Sequence, residues 1–430
     1  MLSNAKNRYA ALLFGFLVIV YALTVSKSPS IDAVAAQYGS WRISQTGAPW
    51  IESLNFLEGR ENRWTWITLN GSHEVISRSP GPVAFGVPAY FFFGGTEFSV
   101  LPGALSAAFI TAVSVTLMFL ALCHHLDLRQ SLVVAVVLGL GTPVWSVAAD
   151  AMWPHTLTVL GISGMAWASA SRRWVLAGVF GGVAVWGRFH MALAVAALGL
   201  LEAWRARDWR IAARIGIVSL AITALLLPWG RWIYGEWLIT GNRRLNWAAS
   251  GAERYESLVA NELGLFLGLG RGVFVWTPLL LVLLPALRRA WPELPSWTKS
   301  MAIGGIVYTL VQGYLNGFAG GDTFWGYRLG IECVVSVTPA LALSLGKLGT
   351  AGRKLVGPLA VLQIIVIAVG AMTGDPGVLP EQGWWPNPVA QRLALDPSFG
   401  ILLIVVSIVL AVLVPRVVWR DYLRRGETIR

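Results

Sequence analysis

Charge is what this sequence has least of. Only 13% of its 430 residues are Asp, Glu, Lys or Arg, against 56% that are hydrophobic. A soluble domain carries about 25% charged residues, so the composition argues against a soluble globule and for a membrane protein. Cysteine is nearly absent. Cys123 and Cys333 fall in or beside apolar runs that the topology below puts near opposite membrane faces, which argues against a disulfide, and no zinc-ligand spacing occurs. The sequence has no 20–50-residue repeat and no low-complexity stretch. Nucleophile elbow, HExxH zinc helix, P-loop and kinase signatures are also missing, which removes the enzyme classes they mark. The net charge of +11 comes from Lys and Arg in short clusters between apolar runs. That is the pattern of membrane orientation, not of a nucleic-acid partner.

What is present is a series of apolar runs. A helix needs about 20 residues to cross the hydrocarbon core, fewer if its ends are buried in protein. Twelve candidate spans follow: 9–25, 99–122, 131–148, 156–170, 174–186, 189–203, 211–229, 273–287, 301–318, 331–346, 355–372 and 400–415. The first has the charged start of a signal peptide but no small-x-small cleavage site, and reads as an uncleaved span. The runs 174–186 and 189–203 are separated by Trp186-Gly187-Arg188 and read as a tight hairpin or one broken element. The run 83–93 is too short to span and reads as a re-entrant or interfacial helix. The fold class expected is an all-α polytopic membrane protein with about 12 transmembrane helices and amphipathic helices on its outer face. The expected division is a first transmembrane module over residues 1–346, including outer loop 26–98, and further C-terminal transmembrane helices over 347–430 with outer loop 373–399.

Orientation follows from the positive-inside rule. With the N-terminus inside, 20 of the 33 Lys and Arg residues fall on the inner side with six acids, leaving 13 basic residues and 16 acids outside. Both termini are then cytoplasmic. The loops 26–98, 230–272, 319–330 and 373–399 face out, with a short outer turn at 149–155. Twelve tryptophans (Trp41, Trp50, Trp64, Trp66, Trp145, Trp153, Trp232, Trp237, Trp247, Trp325, Trp384 and Trp385) lie in these loops or at outer membrane edges. They read as an aromatic belt at headgroup level, or as faces that stack on a sugar or lipid.

The longest polar interval, Ser26 to Pro82, carries the first candidate, Asp32. Ile31, Val34, Ala35 and Tyr38 recur at helical spacing, so Asp32 sits near the start of an amphipathic helix lying on the membrane. It is either a first-turn acid favoured by the helix dipole after Ser28-Pro29-Ser30, or a general base for an acceptor hydroxyl. Asp150, Trp153 and His155 share the short outer turn. Asp150 and His155 either cap the adjoining helices or serve the site. In the latter case Asp150 supports Asp32, and each acid raises the other's pKa, while His155 contacts a phosphate or sugar hydroxyl. Arg188, His190, Arg271 and Arg328 interrupt or border apolar runs, and Arg78 precedes Pro80-Gly81-Pro82. An arginine at such a depth is costly unless it pairs with an acid or a phosphate. Arg328 with Glu332, four apart on a helix, is one such internal pair. The glycines of GLGLGRG and AGGDTFWG follow no strand, so they make no nucleotide loop. The Pro-, Gly- and Trp-rich loop 373–399 reads equally as an ordered lid or a plain connector.

Several stretches occur in order: an acid just past the first span, SRSPGPVAFGVPAYFF, GLGTPVWSVAADAMWPH, RGVFVWTPLLL and FAGGDTFWGYR. In this order, over roughly 9–346, the chain resembles the GT-C superfamily of integral-membrane glycosyltransferases. It is similar in particular to relatives of protein mannosyltransferases and to mycobacterial mannosyl- and arabinofuranosyltransferases. The resemblance implies a polyprenyl-phosphate-linked sugar donor, an extracytoplasmic site, a catalytic acid at Asp32 and a second acid at Asp150. Many members carry an adjacent acidic pair at the first position, and here Asp32 is followed by Ala33, which weakens any expectation of a metal.

The mechanism implied is one inverting displacement. Asp32 deprotonates the acceptor hydroxyl, and the leaving polyprenyl phosphate is held by some of Arg78, Arg188, Arg271 and Arg328, with His155 and His190 as further donor contacts. No cofactor is required. Mannose or arabinofuranose is the sugar implied, and the acceptor is a glycan, glycolipid or exported protein at the cell membrane. A transporter or flippase of lipid-linked sugars is the alternative of another class. It calls for internal repeats and midplane charges, whereas these charges sit at the outer edge. A lipid-linked oligosaccharide ligase is a further alternative, and its resemblance implies a very large outer loop late in the chain, not early.

Overall fold

Apolar runs become helices because a backbone shielded from water must satisfy its own N–H and C=O groups. The computed structural model describes residues 2–51, 66–239, 251–320, 323–373, 387–398, 401 and 405. It opens with α1 (Leu2–Leu23), α2 (Ile31–Thr46), the strands β1 (Ile67–Asn70) and β2 (His73–Ile76), α3 (Pro80–Phe93), α4 (Leu101–Leu122) and α5 (Leu128–Leu140). A π-turn, Val144–Ala148, leads to α6 (Pro154–Ala170), α7 (Trp174–Gly187), α8 (Ala192–Ala206), α9 (Trp209–Ala224) and α10 (Leu226–Tyr234). Next come α11 (Gly251–Leu267), α12 (Val273–Trp276), α13 (Leu279–Ala290), α14 (Ser296–Leu315), α15 (Ile331–Leu343), α16 (Thr350–Thr373) and α17 (Pro388–Leu395).

The first eleven expected spans all fall on helix, and the twelfth, 400–415, lies almost wholly outside the described residues. Among the described residues, five segments are long and apolar enough to cross a membrane: Ala5–Leu23, Leu101–Leu122, Phe189–Ala206, Trp209–Tyr234 and Thr350–Thr373. The other helices are shorter or more polar, so length and apolarity support a polytopic helical membrane protein without establishing about twelve crossings. The runs around Arg188 are two helices, because Arg188 leaves α7 in an extended conformation, φ −144° and ψ 120°. They do not make a tight hairpin. α7 lies chiefly between α6 and α9, and α8 packs on α9 and α14.

The all-α expectation needs one correction. β1 and β2 form an antiparallel hairpin, with Asn70 opposite His73. The two-residue turn is Gly71-Ser72, a hairpin signal because glycine at its first position supplies positive φ, and Gly71 has φ +61°. The hairpin lies within the segment 26–98 and packs on α2 and α10. The short helix α3 docks on α2, α4 and the end of α7. At Gly81 a Cβ would sit 2.6 Å from the Trp186 carbonyl oxygen, so only glycine permits this approach. Its far end leaves Phe91, Phe92 and Phe93 exposed.

The expected tryptophan belt also needs correction. Trp153 and Trp325 are 1% exposed and Trp145 is 6% exposed, so these three belong to the protein core. Two of their polar tips find internal partners: Trp145 donates to Thr24 Oγ1 at 2.9 Å, and Trp325 donates to the Val366 carbonyl at 2.9 Å. Trp50, Trp232 and Trp237 are exposed, while Trp64, Trp247, Trp384 and Trp385 lie outside the described residues. Cys123 and Cys333 are free.

Candidate active site

The ends of α1, α7 and α14 and the starts of α2, α3, α6 and α15 meet at one end of the bundle. Asp32 stands in the first turn of α2, whose N-cap residue Ser30 makes no side-chain cap. Its carboxylate is not simply placed for the helix dipole. Oδ2 is 2.9 Å from Arg78 Nη2 and 2.9 Å from Arg328 Nη1, and Oδ1 accepts from Trp66 Nε1 at 2.7 Å. Burial pushes this carboxyl up, but the two guanidiniums and the hydrogen bonds donated by Trp66 and Arg328 pull harder and hold it at about 2. Arg328 lies over the Trp153 ring, 4.9 Å from its centroid, a cation–π contact in a desolvated setting. Burial lowers its guanidinium to about 10 against the opposing pull of Asp32, so it remains charged at neutral pH.

Arg328 is carried by a loop pinned in three ways. Gly326 has φ +100°, and a Cβ there would meet Pro143 Cγ at 2.7 Å. Ser146 Oγ donates to the Trp325 carbonyl at 2.7 Å. Arg271, 1% exposed, donates to the carbonyls of Phe324 at 2.6 Å and Gly326 at 3.1 Å, and its guanidinium lies 4.0 Å from the Phe324 ring centroid. Arg271 therefore bears on the site through this loop. The helical pair expected between Arg328 and Glu332 does not form. α15 begins only at Ile331, so Arg328 lies outside the helix and turns to Asp32.

Glu332 heads a second, deeper cluster. Its side chain is 0% exposed, and Oε1 accepts from Thr158 Oγ1 at 2.8 Å and meets His155 Nδ1 at 2.8 Å. Arg188 Nη2 is 3.0 Å from His155 Nε2. Arginine only donates, so Nε2 must accept and the proton sits on Nδ1, facing Glu332. His155 is thus not a helix cap: Trp153 holds that position, and its N–H goes to Thr156 Oγ1 at 3.2 Å. Arg188 also donates to Gln312 Oε1, which His190 Nε2 contacts at 2.7 Å while its ring stacks on Tyr308 with centroids 4.7 Å apart.

Asp150 stands apart from Asp32. Burial raises its carboxyl to about 8, opposed by the Ser26 backbone N–H. The mutual acid–acid perturbation expected from sequence plays no part, and burial alone supplies the shift. The structure therefore brings Asp32, Arg78 and Arg328 into one cluster and His155, Arg188 and His190 into a second. Arg188 lies within coulombic range of Asp32. Three buried nitrogens here, Arg188 Nε, Arg328 Nε and Gln312 Nε2, have no hydrogen-bond partner among the described residues, and neither has Glu332 Oε2. Buried polar groups are ordinarily satisfied, so these atoms mark a place for a ligand.

Sequence reasoning missed Trp66, Gln312 and the role of Glu332. Glu332 carried a signal, as an acid opening an apolar run. Gln312, one of two amides in the apolar run 301–318, carried only a weak one.

No family model matches the chain, and no curated protein matches it. Among solved structures it is similar to ArnT from Cupriavidus metallidurans bound to undecaprenyl phosphate. The identity is 16%, the TM-score is 0.49, and the match covers 83% of this chain and 62% of that one. It is also similar to the apo state of the same protein, at 15% identity, TM-score 0.45, and coverage of 84% and 62%. The chain thus spans less than two thirds of the length of the protein it matches. At that identity and score the likeness decides nothing about activity, which has to be argued from this chain's own residues.

Proposed function

We propose that this protein is a membrane glycosyltransferase of the GT-C type. In this reading it moves a sugar from a polyprenyl-phosphate donor to an acceptor hydroxyl on the extracytoplasmic face, with both termini cytoplasmic. The observation that carries the reading is Asp32 held between Arg78 and Arg328, each 2.9 Å from one carboxylate oxygen. A lone acid flanked by two guanidiniums at the edge of a helical bundle fits a phosphate ester and the hydroxyl that attacks it.

As the clamp stands, Asp32 is a poor base, because both oxygens are occupied and its carboxyl is held at about 2. An arriving phosphate diester competes for the same guanidiniums, with which it pairs well. Arg78 and Arg328 turn toward the phosphate, Asp32 loses its counter-charges, and its proton affinity rises as the donor binds. The acceptor O–H then gives its proton to Asp32, and the oxygen attacks the anomeric carbon from the face opposite the phosphate. The bond from the anomeric carbon to the phosphate oxygen breaks, and its electron pair leaves with the polyprenyl phosphate. Arg78 and Arg328 stabilise the charge that grows there. The sugar emerges inverted, as mannose or arabinofuranose in the reading taken from sequence.

The test is transfer of radiolabelled sugar from polyprenyl-phosphate mannose or arabinofuranose by the purified full-length protein. Asp32→Asn should lower the rate by about 10²–10⁴-fold, the usual worth of a general base, while still binding donor lipid. Full activity in that variant would sink the assignment. Donor lipid that crosses the bilayer with its sugar intact would point to a transporter instead.

A further inference from the structure

With Arg78, Arg328 and Asp32 assigned to phosphate and acceptor, the deeper cluster has no task yet. Glu332 and Gln312 are each 0% exposed, and each uses only half of its hydrogen-bonding capacity. Glu332 Oε1 is taken by Thr158 and His155, while Oε2 has no partner among the described residues. Gln312 Oε1 is taken by Arg188, His190 and Tyr308, while Nε2 donates to no described residue. Arg188 Nε, 3.8 Å from Glu332 Oε1, has no hydrogen-bond partner among the described residues. One free acceptor and two free donors therefore stand on a single frame, tied together by the Arg188 contacts with His155 and Gln312.

The ligand that complements this frame must both donate and accept. A polyprenyl tail does neither, and an ionised phosphate offers nothing to Glu332 Oε2. An ammonium group satisfies Glu332 but offers no oxygen to Gln312 Nε2, and it would stand beside the Arg188 cation. A sugar ring with neighbouring hydroxyls meets all three requirements, because each hydroxyl donates once and accepts as well.

We infer that Glu332, Gln312 and Arg188 form the sugar subsite of the donor. One ring hydroxyl donates to Glu332 Oε2, and ring oxygens accept from Gln312 Nε2 and Arg188 Nε. Glu332 and Gln312 are then the residues that choose the sugar, because a buried polar site rejects an analogue that leaves its groups unpaired. This subsite deepens the transferase reading and rests on it.

The experiment measures binding of polyprenyl phosphate, and of the same lipid bearing mannose, arabinofuranose or glucose, to the full-length protein in detergent. In the wild type at least one sugar-bearing lipid should bind about tenfold tighter than the bare lipid phosphate. Glu332→Gln turns the free acceptor into a donor and keeps the shape. It should abolish that increment, read as the ratio of sugar-bearing to bare lipid affinity within the variant. Gln312→Glu, which turns the free donor into an acceptor, should do the same and carries the comparison if Glu332→Gln fails to fold. Survival of the increment in both variants overturns the inference, as does a wild type that binds bare lipid phosphate but gains nothing from any of the three sugars. A wild type that fails to bind bare lipid phosphate overturns the transferase reading itself.

Discussion

Two glutamates are buried toward opposite ends of this bundle, and they are held in different ways. Glu202, toward the C-terminal end of α8, is saturated. Oε2 accepts from Ser296 Oγ at 2.7 Å, and Oε1 accepts from Ser300 Oγ at 2.6 Å with Arg205 Nη1 at 3.6 Å. It works as a clasp between α8 and α14. Glu332, at the site, keeps one oxygen unpartnered. Beyond Glu202, Lys347 and Glu293 pair at 2.7 Å with their side chains 44% and 66% exposed. All three are acids close to a cation or a histidine. What separates a ligand site from a clasp or a solvated pair is burial together with unfinished hydrogen bonding.

The comparison can be broken by substitution at either end. Glu202→Ala leaves the Ser296 and Ser300 hydroxyls without their acceptor and should cost about 2 kcal/mol of stability. Folded Glu202→Ala protein should transfer sugar at the wild-type rate, as thermal unfolding and a transfer assay would show together, and a large loss of rate would erase the distinction. At the other end, the Asp32 carboxyl is held at about 2, below its ordinary range near 4. Its ion pairs therefore add stability above about pH 4, and that stability is lost as the pH falls toward 2, by about 2 kcal/mol in all. Between pH 4.5 and 2.5 the wild type should lose more thermal stability than Asp32→Asn does. Equal losses would mean that the clamp is not formed. The smallest effect belongs to Lys347→Ala, which should shift stability by less than about 1 kcal/mol. A larger shift would show that exposure alone does not mark an idle pair.

Much of the helical framework was legible in the sequence, because apolar runs between charge clusters have few alternatives to helix. Asp32, Arg78, Arg188 and Arg328 were legible as singular charges at the edges of such runs. Their pairing was not. Arg328 has an acid four residues away, yet it bonds to Asp32 across 296 positions, because the helix that would align it with Glu332 starts too late. His155 was open between a cap and a phosphate or sugar contact, and its partner Glu332 is 177 positions distant. The hairpin was announced by Gly71-Ser72 and passed over in an otherwise helical pattern. Gln312 takes its meaning only from the three groups that converge on its oxygen.

The separation of the clamp's two arginines along the chain has a consequence in time. A ribosome adds about 5–20 residues per second. Arg78 follows Asp32 by 46 positions, or roughly 2–9 s at that pace. Arg328 follows Asp32 by 296 positions, or roughly 15–60 s. During most of the chain's synthesis, Arg78 alone of the two is there to neutralise the acid. The near arginine keeps the young Asp32 company until the distant one arrives to complete the clamp.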